Sequence, residues 1–281
     1  MPDADAVAVD DLPALDAPFP LTAATAEQFR RDGHAVVRGL ASTEEVAAYR
    51  PCIEAAALRH SRETRPMEER DTYGKAFLQI TNLWVKDEAV RRFTMARRFA
   101  RVAAELLGVP AVRLYHDQAL FKEAGGGHTP FHQDQFYWPF DDDKTITMWM
   151  PLVDVPAEIG SMTFASGSHK LGHVADVPIS DESDAQLGEF IEAKGLRLDT
   201  HGALAAGDAT FHAGWTLHGA PPNPTGTLRA VMTVIYFADG LRVVEPDHPF
   251  RAFDLKIWLP GVEPGELAAS DINPVLYRAG D

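Results

Sequence analysis

After residue 110 the chain reads as short strands separated by turns, and that texture limits its fold more than any other feature. Val112–Lys122 alternates in polarity, Thr145–Val155 is a long run containing Trp149, and Ser161–Phe164 is short. Ser166-Gly167-Ser168-His169 is a turn, and Asp208–His212 and Leu228–Phe237 are two further strands. Many short strands of this kind close into a sandwich or jelly roll. Helical patterns gather before residue 110. Thr25 is a candidate N-cap for a helix ended by Gly33, and His34–Gly39 reads as a strand. Ser42-Thr43-Glu44-Glu45 is a capping box. Asp87 opens a helical region with Val90, Phe93, Phe99, Val102 and Leu106 on its buried side. The fold class is therefore mainly β with flanking helices that cover one face. Residues 1–20 are expected to be a flexible acidic tail and 21–281 one domain, since neither a repeat nor a linker interrupts them.

Composition narrows the partners. The formal net charge of −15 argues against nucleic acid and anionic membranes, both of which need cationic surfaces. No apolar run is long enough for a membrane span. Cys52 is the only cysteine, so the chain forms no internal disulfide, which fits a cytoplasmic location. Arg91, Arg92, Arg97, Arg98 and Arg101 make one helical stretch basic. A solvated face with acidic neighbours is the plainer reading, and a phosphate contact is the alternative. Residues 59–75 lose hydrophobic periodicity and read as a mobile loop or lid; 176–198 reads as an acidic excursion over the site.

His132-Gln133-Asp134 carries the chemistry. In an extended strand residues i and i+2 share a face, so an imidazole and a carboxylate point at one place. A distal histidine could complete a site there, and two histidines with one carboxylate suit a non-haem iron(II) centre with open positions. His218 is the candidate, and Arg229 follows it in the next strand, where a hairpin would return it towards His218 to hold a carboxylate. His212 is expected to pack near the pocket. His116 and His128 could line it, and His169 is expected to cap its turn. Of Phe131, Phe136, Tyr137 and Trp138, at least two are expected in the core and the others in a substrate wall.

These residues resemble the phytanoyl-CoA dioxygenase family. Thr147-Met148-Trp149-Met150-Pro151-Leu152-Val153-Asp154 resembles its W-x-P-L-D-D segment. Gly160-Ser161-Met162 through Gly167-Ser168-His169, and His218-Gly219 followed by Asn223, resemble two others. The resemblance runs from about residue 20 to about 240. It implies a double-stranded β-helix (a cupin-like jelly roll) and two cofactors, Fe(II) and 2-oxoglutarate. His132, Asp134 and His218 would be the iron ligands and catalytic centre, and Arg229 the partner of the cosubstrate's distal carboxylate. Trp149, Gln118 and Thr129 would contact cosubstrate or substrate; Gln79 and Lys75 are weaker candidates. The implied reaction is dioxygenase chemistry, hydroxylating a small molecule with dioxygen while 2-oxoglutarate becomes succinate and carbon dioxide. Desaturation, epimerisation or cyclisation in natural-product biosynthesis uses the same centre and stays open. A metal-dependent hydrolase would not need Arg229, and a non-enzymatic jelly-roll binding protein would not need an intact triad. One departure concerns the cosubstrate: the family often has serine two residues after the distal histidine, and this chain has Ala220. Halogenating relatives lack the carboxylate that Asp134 provides here, so halogenation is not expected. A coenzyme A thioester fits the acidic charge less well than a free small molecule.

Overall fold

A computed structural model describes residues 9–156 and 161–281. The first eight residues of the expected tail and Gly160 of the family-like segment lie outside the described residues. The elements run α1 (Ala23–Asp32), β1 (His34–Val37), α2 (Thr43–His60), α3 (Thr72–Ala76), β2 (Leu78–Thr81), α4 (Glu88–Thr94) and α5 (Arg97–Leu107). Then come β3 (Ala111–Phe121), β4 (Thr129–His132), β5 (Thr145–Pro151), β6 (Thr163–Ala165), α6 (Asp181–Lys194), β7 (Leu198–Thr200) and β8 (Ala209–Ala213). The chain ends with β9 (His218–Ala220), β10 (Val231–Ala238), α7 (Pro249–Trp258) and β11 (Val275–Arg278).

Two antiparallel sheets form the core. The larger has the order β1-β8-β5-β10-β3-β11 with β2 also on β3, and the smaller has the order β4-β9-β6-β7. One face of the larger sheet presents Met148, Met150, Phe211, Met232, Val234 and Tyr236 to α2, α4 and α5, making the main hydrophobic cluster with Tyr49, Ile53, Phe93 and Phe99. Strand alternation turns the other face towards the smaller sheet. This is the expected jelly roll, with α2, α4 and α5 on one side.

The local signals act much as expected. Ser42 accepts from Glu45 N while the Glu45 carboxylate accepts from Ser42 N, which caps α2. Such a cap stabilises a helix by about 1 kcal/mol. The cap of α1 is Thr22, whose hydroxyl accepts from Thr25 N, so the predicted cap lies one turn too late. Residues 9–20 differ from a flexible tail: Leu12 and Leu15 are buried in the main cluster, and Arg92 donates to the Val9 and Leu12 carbonyls. Two apolar residues in an acidic stretch are enough to dock it. Residues 59–75 contain a 3-10 turn and α3, and residues 176–198 are mostly α6, which buries Leu187 and Ile191. Among the described residues no helix is long and apolar enough to cross a membrane.

β3 carries a bulge. Ile235 of β10 pairs with His116, but Tyr236 pairs with Leu114, so Tyr115 is an extra residue. Before it Val112 and Leu114 face the helices; after it His116, Gln118 and Leu120 face the space between the sheets. A bulge reverses which residues of a strand look inward.

One glycine joins the fold to the site. Gly214, in the turn between β8 and β9, accepts from Gln135 N. A Cβ there would lie 2.3 Å from Thr145 Oγ1 and 2.4 Å from Gln135 Oε1. Gly214→Ala is expected to destabilise the protein by about 1–3 kcal/mol in urea titration, the usual cost of overpacking. Gly226→Ala, where a Cβ meets nothing within 4 Å, should unfold like the parent. Equal midpoints for the two variants would refute this reading of Gly214.

Candidate metal and cosubstrate site

Strand pairing brings the two histidines together. β4 runs antiparallel to β9 with His132 directly opposite His218, and their ring centres are 4.1 Å apart. Gln133 is extended, with φ −121° and ψ 123°, so the alternation holds for one more residue. The chain then leaves the strand, and Asp134 opens a 3-10 turn through Phe136. Asp134 is therefore not a strand residue, yet it shares the side of His132. The Gln133 amide points the opposite way and donates to the Gly172 and Trp215 carbonyls at 2.8 and 2.7 Å. Asp134 Oδ1 lies 3.5 Å from His132 Nε2 and 3.7 Å from His218 Nε2. One ligand atom from each of the three residues falls within 4.8 Å of the others, a set that could hold a metal ion.

Hydrogen bonds select the ring nitrogens. His132 Nδ1 lies 2.8 Å from the Pro130 carbonyl, and His218 Nδ1 lies 2.9 Å from the Thr216 carbonyl. A carbonyl only accepts, so each Nδ1 carries the proton and each Nε2 keeps a lone pair facing Oδ1. Asp134 Oδ2 is used separately: Thr147 Oγ1 donates to it at 3.0 Å and His212 Nε2 at 3.1 Å. Burial pushes the Asp134 carboxyl up, but the His218 ring beside it and the hydrogen bond from His212 outweigh that and hold it well below the usual range. Burial, with His132 and His212 nearby, depresses His218 well below an ordinary imidazole. A carboxylate and neutral imidazoles are the forms that bind metals.

Arg229 approaches from the other sheet. His218 belongs to the smaller sheet, whereas Arg229 bridges to Lys122 just before β10 of the larger one. The two are therefore not hairpin partners; they meet because both sheets face one cavity. The Arg229 guanidinium lies 5.2 Å from the Trp149 ring centre, and burial lowers its pKa to about 9. Lys122 is fully buried behind it, and burial with the Arg229 charge brings its ammonium down to about 7. Lys122 Nζ donates to the Gly127 and Pro221 carbonyls and reaches Thr129 Oγ1 at 3.4 Å. Thr129 pairs with Ala220 across β4 and β9, so a hydroxyl stands beside the position where the family's serine is missing.

These groups line a cavity of about 610 Å3 between the sheets. His132, Asp134, His218, Arg229, Thr129, Gln118 and Trp149 all face it, as do Gln79, His116 and His212. Lys75 is not among the lining residues, and His128 lies 3.4 Å from Asp184 outside it. Tyr137 and Trp138 line the cavity, while Phe136 stacks on His248 and Phe131 packs near Leu187. Thr147 was legible as the inward neighbour of Trp149 two residues on, but sequence reading passed over it. It also gave no role to α7, which lines the cavity with Phe250, Phe253, Asp254, Ile257 and Trp258. Their i, i+3, i+4, i+7, i+8 spacing is the available signal. The basic helical stretch is engaged elsewhere: Arg98 with Glu45, Arg101 with Glu105, Arg91 over Trp84, and Arg97 with the Asp281 carbonyl.

Comparison with known proteins agrees with this geometry. A probable alpha-ketoglutarate-dependent hypophosphite dioxygenase from Stutzerimonas stutzeri is 26% identical over 221 residues, covering 73% of this chain and 75% of its own. The ectoine dioxygenase of Streptomyces avermitilis is 26% identical over 281 residues, covering 92% and 90%. Among solved structures, the alpha-ketoglutarate-dependent epimerase SnoN from nogalamycin biosynthesis superposes with a TM-score of 0.70 at 28% identity, over 90% of this chain and 97% of that one. The carbocyclase SnoK from the same biosynthesis shares the fold, with a TM-score of 0.75 at 22% identity over 92% and 99%. The family model for phytanoyl-CoA dioxygenase matches residues 29–231, most of the chain and every residue of the candidate centre, so the chain belongs to the phytanoyl-CoA dioxygenase family of iron(II)- and 2-oxoglutarate-dependent oxygenases.

Proposed function

We propose that this enzyme hydroxylates a C–H bond of a free small molecule, with His132, Asp134 and His218 holding iron(II) and Arg229 holding the distal carboxylate of 2-oxoglutarate. The observation that carries the ligand assignment is the pairing of each histidine Nδ1 with a main-chain carbonyl, which leaves both Nε2 lone pairs facing Asp134 Oδ1. Iron(II) and 2-oxoglutarate, when bound, supply activation of dioxygen coupled to decarboxylation of the 2-oxo acid to succinate and carbon dioxide. The protein supplies placement. Thr147 and His212 hold the outer oxygen of Asp134, so the inner one keeps a fixed aim. Arg229 meets the cosubstrate in a buried place, where a charge-assisted hydrogen bond is strong. Thr129 accepts from Lys122, which leaves its own O–H to donate to the same carboxylate and stands in for the serine absent at Ala220. The cavity walls exclude water from the reacting centre.

Epimerisation or ring closure is the second reading. It is favoured by SnoN, the epimerase that this chain matches at 28% identity over 90% of its length. Both outcomes use the same residues, and the pose of the substrate decides between them. A free small molecule is preferred over a coenzyme A thioester because Arg229 is the only lysine or arginine lining the cavity among the described residues. A metal-dependent hydrolase has no use for that buried arginine.

Anaerobic titration of the iron(II)-loaded protein with 2-oxoglutarate should produce a weak visible charge-transfer band, absent in His218→Ala. No band despite bound iron would refute the assignment of Arg229. Arg229→Ala should weaken 2-oxoglutarate binding by about 10- to 100-fold, the cost of losing hydrogen bonds to a charged group, with iron binding retained. An unchanged affinity would remove it from the site. Thr147→Val should cost about 10-fold in iron(II) affinity by equilibrium dialysis, as loss of an outer-shell partner does. Unaltered affinity would make that hydroxyl incidental.

A further inference from the structure

The cavity extends well beyond the three candidate ligands and Arg229, and its far half has a different chemistry. Its wall is α7, whose Phe250, Phe253 and Ile257 are 41%, 59% and 37% exposed, unusual for large apolar side chains on a surface helix. All three face the cavity, and Asp254 and Trp258 face it from the same side of the helix. The exposed apolar surface of α7 is thus the lining of a binding site.

α7 is seated on the β3 bulge. The extra residue, Tyr115, donates its hydroxyl to Asp254 Oδ2 at 3.3 Å, and the next residue, His116, stacks on Trp258 with ring centres 4.5 Å apart. Asp254 is only 8% exposed yet has no basic partner among the ion pairs of the described residues. The cation one turn away on its own helix, Arg251, is taken by Asp247 and the Phe136 carbonyl. His116 is held neutral, its pKa lowered to about 4 by burial. Burial also pushes the Asp254 carboxyl up to about 7, with Tyr115 and Trp258 hydrogen bonds opposing and the Asp134 charge adding to the rise.

Charge accounting in the loaded site sharpens this. Iron(II) and Arg229 would balance Asp134 and the two carboxylates of 2-oxoglutarate, with the charge of Lys122 behind Arg229 weakened by burial. Asp254 has no charged partner in this accounting; it faces the substrate half as a buried carboxyl held by Tyr115 and Trp258, and its charged form is unfavourable there unless a cation pairs with it. Its surroundings are aromatic: Trp258, Tyr137, Phe250 and Phe253 line the same space. Aromatic walls attract both apolar ring systems and organic cations.

We propose that Asp254 is the substrate-anchoring residue, and that the substrate is an apolar ring compound bearing a basic amine whose ammonium pairs with Asp254 while its ring lies against Trp258 and Phe253. This rests on the cofactor assignment above, since that assignment commits Arg229 to the cosubstrate and leaves the outer half for the substrate.

Three probes with one ring system separate the contributions: 2-naphthylmethylamine, 2-naphthalenemethanol and 2-naphthoate. Each is titrated anaerobically into the full-length enzyme loaded with iron(II) and 2-oxoglutarate, and binding is followed by quenching of tryptophan fluorescence. The amine should bind at least about 10-fold tighter than the alcohol, the gain expected of a charged hydrogen-bonded pair, and the carboxylate should bind weakest. Asp254→Asn should cost the amine about 10-fold and leave the alcohol within about twofold. Phe253→Ala, a change at an exposed position, should weaken amine and alcohol alike. Equal binding of amine and alcohol by the parent enzyme, amine affinity that survives Asp254→Asn, or failure of all three probes to bind would overturn the proposal. The 2-oxoglutarate charge-transfer band is recorded in the same samples. A normal band without amine preference sinks the substrate assignment alone; a missing band in the parent enzyme sinks the cofactor assignment and this proposal with it.

Discussion

The division of labour between the two oxygens of Asp134 is the constraint on which the centre depends. One oxygen faces the two imidazoles, and the other is held by Thr147 and His212. A free carboxylate would rotate and offer either oxygen. Here Thr147 comes from β5 and His212 from β8, which pair in register at those two residues. The larger sheet thus fixes the aim of a carboxylate whose backbone belongs to a turn beyond the smaller sheet. Correct spacing of the two sheets is built into the ligand geometry, and the tightly packed turn at Gly214 keeps that spacing.

The same packing explains why so many charges tolerate burial. Arg229 and Lys122 are side by side in the interior, and Lys122 is satisfied by carbonyls and a hydroxyl. Burial weakens both charges, and repulsion from the neighbouring Arg229 adds to the effect on the lysine. On the proposed role of Arg229, a bound dicarboxylate would offset that repulsion.

Much of this was legible in the sequence, for reasons that differ by residue. His132 and Asp134 declared themselves through the two-residue repeat of an extended chain, and Gln133 keeps that repeat intact although the strand itself has ended. His218 and Arg229 were found by type and order, but the hairpin imagined between them was wrong. Sequence spacing does not say which sheet a strand joins. Leu12 and Leu15 were lost among acidic neighbours, because composition averages over the few residues that dock. The β3 bulge was invisible, since an alternating run does not reveal where an extra residue is inserted. The cavity face of α7 could be read only once its neighbours were known: an apolar stripe at helical spacing describes a core helix equally well.

The bulge at Tyr115 has a consequence for how such an enzyme can diversify. It ends the run of inward-facing β3 residues that serves the reacting centre and offers Tyr115 and His116 as a separate landing place for α7. The family match stops at residue 231, before α7 begins. The reacting centre and the α7 wall therefore meet at one irregularity in one strand. On the roles proposed above, exchanging α7 would retarget the catalyst while the oxidising end stayed as it was, as a lens is changed on a camera body.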